Sequence, residues 1–361
     1  MAVPPSPAGI ADPADRSVRD LLTQLQTLYR RAEEAGEAYN AAEEELRRQH
    51  LQVRRLGTQL AQARVRLTEG RNDAGRLARR QYQNSAGEVS AYLQLLMSRS
   101  LQGALDQGHV LQRAADERNH AVRRLAGTER RLDGVTTRAR TALDRQQTLA
   151  KKRLTLRATA ERRLGEVEGA LASLSPQQLT NVGRLERSLV ATAQRAFVGS
   201  AGLSAVRQAR KPSRAGARAI EYAFAQLGKP YEWGAEGPAS FDCSGLTSQA
   251  WAHAGRKIPR TSQLQWRKLP RVPVKELRPG DLVIYYRGAT HVALYVGNGK
   301  VVQAPRPGAV IKVSPVAANP LIGAVRPDAG SKPLERYARP ELPKGAKSGS
   351  DTVSPSATAP A

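Results

Sequence analysis

From Val18 the chain repeats apolar residues at alternating steps of three and four. One series runs Val18, Leu25, Ala32, Tyr39, Leu46, Val53, Leu60 and Leu67. The interleaved one runs Leu21, Leu28, Ala35, Ala42, Gln49, Leu56 and Ala63, apolar everywhere but at Gln49. So narrow a seam, flanked by Arg, Glu and Gln, predicts a coiled-coil helix rather than the broad apolar face of a globular one. About fifty residues of it make a rod of roughly 75 Å. A second helical stretch is expected from about Val110 to Leu174, carrying Val122, Leu125, Leu132, Leu143, Leu154, Leu164, Val167 and Leu171, with Pro176 to stop it. Between the rods, residues 80–108 hold an apolar cluster of Tyr82, Val89, Tyr92, Leu93, Leu95, Leu96 and Met97. Two rods and a compact tip predict an antiparallel helical hairpin over 17–200, although a parallel homodimer would satisfy the same seam. Residues 177–200 fit a further helix, 201–216 read as a linker, and the Pro- and Ala-rich 1–16 read as a disordered leader.

After the linker the period changes. Residues 217–326 show short β-type runs, turns and aromatics, which predicts a compact domain, and 327–361 lack an apolar run and read as a disordered tail. All 3 tryptophans and most other aromatics lie between Tyr222 and Tyr295, so the packed core is concentrated there. The fold class is therefore multidomain: an all-α coiled-coil hairpin followed by a small mixed domain.

Composition narrows the chemistry. The chain has 57 Lys and Arg against 32 Asp and Glu, a net charge of +25, shared about evenly by the two sides of residue 210. A diffuse positive field attracts polyanions in general, but the aromatic-and-basic interleaving of single-strand binders is missing, and nucleic acid is not the expected partner. No apolar run is long enough to cross a membrane. The 1 cysteine, Cys243, excludes an intrachain disulfide and a cysteine-based zinc site, and the histidines stand at no metal-ligand spacing. No phosphate-cradling loop is seen, so neither a metal nor a cofactor is expected.

Asp242-Cys243-Ser244-Gly245-Leu246 opens a predicted helix that Gly255 ends, with Asp242 as N-cap and Cys243 in the first turn. There the free amides and the helix dipole favour the thiolate, the attacking form of the sulfur, which should be ionised and reachable. A thiolate needs a base. His253 lies late on the same helix and faces away, whereas His291 opens a strand that turns at Gly297-Asn298-Gly299 into another, Lys300 to Ala304. If 297–299 form a three-residue turn, Ala293 faces Gln303, and Gln303 becomes the same-face diagonal neighbour of His291. Its amide oxygen would then accept from the imidazole N–H and leave the other nitrogen toward Cys243; a two-residue turn would send Gln303 to the opposite face.

Five segments taken together resemble the NlpC-type cell-wall peptidases: Lys229-Pro230-Tyr231-Glu232-Trp233-Gly234, Phe241-Asp242-Cys243-Ser244-Gly245-Leu246, Pro259-Arg260-Thr261-Ser262, Arg278-Pro279-Gly280-Asp281-Leu282 and His291-Val292-Ala293-Leu294-Tyr295-Val296-Gly297. The resemblance implies a papain-like α+β domain, with the helix of the nucleophile packed on a small antiparallel sheet that carries the base. It also implies a Cys-His-polar triad cutting peptidoglycan stem peptides, usually between D-glutamate and the next diamino acid. By motif, Cys243 matches the nucleophile, His291 the general base, and Tyr231 the tyrosine beside the oxyanion. Asp242, Ser244, Arg260 and Ser262 fall in motifs that flank the nucleophile or the substrate cleft. The third triad position, most often His, is Gln303, which orients an imidazole but stabilises its cation less than a carboxylate would. The rods resemble the coiled coils of secreted actinobacterial relatives, which dock on a membrane-bound division complex or occlude the cleft; a plain spacer is the competing reading. The expected activity is thus a secreted, cell-wall cysteine endopeptidase. The rival is an inactive coiled-coil adaptor that only binds wall peptide.

Overall fold

The computed structural model describes residues 17–85, 101–199, 210–341 and Ala346. Helix α1 spans Val18–Ser85, α2 Leu101–Ala172 and α3 Pro176–Gly199. Most of the apolar cluster expected at the hairpin tip lies outside the described residues, as do the leader and much of the linker. The second helix includes Leu101, nine residues before the expected Val110.

The chain divides into two compact units, Glu45–Lys151 and the remainder. Within Glu45–Lys151, α1 and α2 run antiparallel in one chain: Arg145 pairs with Glu45 at 2.9 Å and Arg71 with Glu129 at 3.2 Å. Such exposed pairs contribute about 0–1 kcal/mol each, so the buried seam of Leu56, Ala63, Leu67, Val135, Ala142 and Leu149 holds the hairpin. Gln49, the polar break in the seam, is buried and its Nε2 donates to Ala142 O at 2.8 Å. The deviation from apolar is therefore a satisfied one.

In the other unit, Leu21, Leu22, Leu25, Tyr29 and Ala32 of α1 pack with Val167 of α2 and Val182 of α3. Pro176 opens a helix as well as ending one. Ser175 accepts from Gln178 N at 3.2 Å and its own N–H donates to Gln178 Oε1 at 2.8 Å, a reciprocal cap with proline at the first helical position.

The compact domain follows in the same unit, as α4 (Arg214–Phe224), α5 (Cys243–His253), α6 (Ser262–Lys268) and six strands: β1 Arg271–Val272, β2 Leu282–Tyr285, β3 His291–Gly297, β4 Lys300–Gln303, β5 Lys312–Pro315 and β6 Leu321–Val325. The sheet is antiparallel in the order β1-β6-β2-β3-β4-β5. β2 and β3 are buried along their whole length, which explains their unbroken apolar runs. Leu282, Ile284, Val292 and Leu294 join α4 and α5 in one core, while Val283, Tyr285, Ala293 and Tyr295 form a second, against which Phe197 of α3 packs.

Two expectations change here. The β3–β4 turn contains two residues, not three, since Gly297 pairs with Lys300. Asn298 (φ 52°) and Gly299 (φ 65°) supply the left-handed backbone that a tight hairpin turn requires. A register shift between Tyr295 and Gly297 absorbs one extra residue, so Leu294 faces Val302 and the alignment that places Gln303 beside Ala293 is restored. Residues 327–341, expected to belong to a disordered tail, are held by the domain instead. Asp328 is buried, bonded to Ser213 and held by Arg278 at 2.8 Å, and Leu334 N donates to Pro212 O at 2.8 Å. Those paired charges anchor 327–341 without an apolar run, and they shorten the linker, whose Pro212 and Ser213 are buried.

Candidate active site

Asp242 caps α5 as its sequence implies: Gly245 N donates to Oδ1 at 2.6 Å. The carboxylate also takes Gly234 N at 3.0 Å and two Arg260 nitrogens at 3.0 and 2.6 Å. Arg260 in turn donates to Glu236 Oε1 at 2.7 Å and to Ser244 Oγ at 2.9 Å. Asp242 and Arg260 thus brace the start of the helix, and their polar atoms are spent within the protein. Thr261 caps α6, accepting from Leu264 N at 3.4 Å, which leaves Ser262 N–H at a helix start close to Ser244.

His291 stands where β3 begins, fully buried, with Nε2 2.7 Å from Gln303 Oε1. Gln303 Nε2 donates to Ser314 Oγ at 2.8 Å on β5. With the amide oxygen facing Nε2, the imidazole proton sits on Nε2 and the Nδ1 lone pair is turned to the other side. A Val292 backbone hydrogen bond stabilises the Cys243 thiolate, so the sulfur meets the residue next to His291. Tyr231 packs in the same buried core as Cys243; its hydroxyl is pushed well up, first by burial and then by the nearby thiol. His253 stacks instead on Tyr222, with ring centroids 5.0 Å apart.

The exposed, ionised thiol expected at this helix start is not what the structure shows. Cys243 is 3 % exposed, and burial, followed by Glu37, Asp242 and Glu33, pushes its thiol well above the usual range. The cover comes from α1. Glu37 Oε1 lies 3.7 Å from Cys243 Sγ and 2.7 Å from Ser244 Oγ, and its Oε2 accepts from Ser262 N at 3.1 Å. One turn earlier, Glu33 Oε1 lies 3.5 Å from His291 Nδ1. Asn40 donates to Asp242 Oδ2 at 2.9 Å, and Arg306 donates to the Tyr29 hydroxyl at 2.9 Å with its guanidinium over that ring. Tyr39 packs on Trp233 at 5.1 Å between centroids, and Gly36 faces the same indole.

All of these α1 residues but Tyr39 were absent from the sequence-derived seam, and none was read as part of the site. Tyr29, Glu33, Gly36, Glu37 and Asn40 instead form a second helical stripe. A partial signal was present: a glycine inside a helix costs about 1 kcal/mol relative to alanine and can mark a close approach, but α1 also holds Gly57, Gly70 and Gly75, and a Cβ on Gly57 meets nothing within 4 Å. A cleft of about 450 Å³ stays open on the His291 side of the contact, lined by Tyr29, Glu33, Tyr286, Arg287, Arg306 and Asn319 among others.

Residues 228–323 match the NlpC/P60 family. A probable endopeptidase of Corynebacterium glutamicum is 46% identical over 97 residues, 27% of this chain and 46% of that protein. A probable endopeptidase p60 of Listeria seeligeri is 47% identical over 87 residues, 24% of this chain and 17% of that protein. The chain thus spans less than half the length of these curated relatives. Among solved structures, the NlpC/p60 domain of peptidoglycan hydrolase SagA is 33% identical, with 30% of this chain and 97% of that one covered at a TM-score of 0.29. RipD of Mycobacterium tuberculosis, described as a non-catalytic NlpC/p60 domain protein adapted to peptidoglycan binding, is 32% identical, with 32% and 98% covered at 0.29.

Proposed function

We propose that this chain, which belongs to the NlpC/P60 family through residues 228–323, is a cysteine endopeptidase of peptidoglycan stem peptides, seen here in a closed form. Relatives in the family are named probable endopeptidases. The observation that carries the reading is the His291–Gln303 contact of 2.7 Å beside the only cysteine of the chain. With α1 withdrawn, His291 Nδ1 takes the Cys243 proton and the thiolate adds to the peptide carbonyl. Tyr231 and the Cys243 backbone N–H hold the oxyanion. The Nδ1 proton then passes to the leaving amine, and water hydrolyses the thioester. Gln303 keeps the Nε2 proton in place throughout. Ser244 Oγ and Ser262 N–H, which contact the Glu37 carboxyl group in the closed form, would hold a substrate carboxylate, in keeping with a bond that follows D-glutamate. Action on the wall after secretion follows from the same reading, and a wall rich in carboxylates and phosphates would retain a chain of charge +25.

Closure explains the buried thiol: the helix that covers it belongs to the coiled coil, while the catalytic groups beneath keep their arrangement. A binding-only adaptor would not need the His291–Gln303–Ser314 chain. Mass spectrometry of products from a defined stem peptide tests the reading. Cleavage by wild type and none by Cys243→Ala is expected, and equal product from both removes it.

A further inference from the structure

Helix α1 sets two carboxyl groups into one buried cluster that already holds an acid and a thiol. Glu37 meets Asp242, Cys243 and Arg260; Glu33 meets His291, Glu37, Arg306 and, on its own helix, Glu34; Tyr231 closes the floor. Arg260 is already shared between Asp242 and Glu236, at 2.6 and 2.7 Å. Arg306 donates Nη1 to the Tyr29 hydroxyl and to Pro307 O, and its charge acts on Glu33 from there. Glu33 Oε2 is buried with no hydrogen-bond partner among the described residues, a costly position for an anion.

Neutral acids fit the geometry. A proton on Glu33 Oε1 points at the Nδ1 lone pair of His291, the same pair that would deprotonate Cys243. A proton between Glu37 Oε1 and Ser244 Oγ, 2.7 Å apart, leaves the serine hydroxyl to Asp242 Oδ1 at 3.2 Å while Oε2 keeps the Ser262 N–H. We propose that closure of the cleft is proton-linked: Glu33 and Glu37 dock as uncharged acids, and α1 is released as they ionise. This deepens the closed-enzyme reading and rests on it.

The direction follows from linkage. Burial first, then Asp242, raises Glu37 from its ordinary 4.5 to about 7 in the closed form; burial first, then Glu37, raises Glu33 well above 4.5. Below the ordinary value both forms hold the proton and pH has no effect. Between there and about 7, closing takes up a proton at Glu37, so closure weakens up to tenfold per pH unit. Low pH shuts the cleft and neutral pH frees it. A conventional latch, with a Glu33 anion clasping a His291 cation, predicts the reverse response to charge removal.

Glutamine tells them apart, because it reproduces the neutral acid. The sole thiol is alkylated with iodoacetamide in the full-length chain between pH 5 and 7.5, as wild type, Glu33→Gln, Glu37→Gln and the double variant. Thiolate formation alone gives at most a tenfold rise in rate per pH unit. Wild type should rise more steeply than that. The double variant should rise no more than tenfold per unit and react about tenfold slower than wild type, or less, at pH 7.5. Each single variant should remove part of the excess slope, so the outcome does not hinge on one protein's folding. A double variant alkylated as fast as wild type or faster at pH 7.5, or a wild-type slope within tenfold per unit, overturns the proposal. Alkylation reports access to sulfur without turnover, so its result stands apart from whether the chain hydrolyses stem peptide.

Discussion

Gly36→Leu should uncover Cys243 without harming the helix that lies over it. A Cβ built on Gly36 falls 2.7 Å from Cδ1 and 3.0 Å from Cε2 of the Trp233 indole, with Nε1 nearer still. The indole has little room to retreat, since Tyr39 packs on it. Overpacking of this kind costs about 1–3 kcal/mol, and at 1.4 kcal/mol per tenfold the open population rises by about 5- to 150-fold. The same substitution favours helix by about 0.8–1 kcal/mol, so α1 should remain intact while it leaves the cleft. Gly57→Leu is the matched control, because a Cβ there meets nothing within 4 Å and gains the same helix preference. Alkylation rate of Cys243 and release of stem-peptide fragments from purified wall are the two assays. Both should rise for Gly36→Leu and stay at the wild-type value for Gly57→Leu. Equal alkylation of the two variants would refute the claim that contact with Trp233 keeps the sulfur covered.

Asn40→Ala removes the 2.9 Å bond from α1 to Asp242; with about 1.5–3 kcal/mol at stake for a bond to a charged group, Cys243 alkylation should quicken by about tenfold or more. Gln303→Leu, read in the Gly36→Leu background, removes the Gln303 contacts to His291 Nε2 and Ser314 Oγ and should lower the initial hydrolysis rate by about 5- to 150-fold, the equivalent of about 1–3 kcal/mol, while thiol access stays open. Arg260→Ala leaves Asp242 buried and unpaired, so thermal unfolding should register a loss of about 3–5 kcal/mol; an unchanged melting curve would deny the arginine its bracing role.

The sequence exposed the Cys243, His291 and Gln303 half of the candidate site because those residues sit at local signals. Asp242 before a helix, a glycine after it, and alternating strands around Gly297-Asn298-Gly299 each place a side chain by short-range rules. The face of Gln303 was legible although the turn was not: the bulge at Val296 and the two-residue turn each change the register by one, and their effects cancel. The sulfur's state was misjudged for a different reason. Helix dipoles act over one turn and favour the thiolate, but desolvation depends on what covers the site, here residues about two hundred positions away in the chain. Likewise 327–341 carry too little apolar character to announce themselves, and Asp328 finds Ser213 and Arg278 only in the folded domain.

The two faces of α1 have opposite physical characters, and this division suits a reversible cover. Toward α2 and α3 the helix presents Leu21, Leu22 and Leu25, apolar side chains whose separation would expose each to water at about 1.5–3 kcal/mol apiece. Toward the cleft it presents Glu33, Gly36, Glu37 and Asn40, with only the rings of Tyr29 and Tyr39 to bury apolar surface. Polar groups that leave such a contact regain water, so the net cost of parting is small, and the protonation state of two side chains can decide it. A leucine-lined cover would bind more tightly but respond to neither protons nor substrate carboxylates. On this argument Glu33→Leu should tighten the cover and remove the part of the pH response that Glu33 carries: it fills a similar volume, needs no proton, and removes a buried oxygen that has no hydrogen-bond partner among the described residues. Cys243 alkylation slower than wild type at pH 7.5 in this variant is the expected result, and a rate above wild type would show that the carboxylate of Glu33 holds the helix down by its charge.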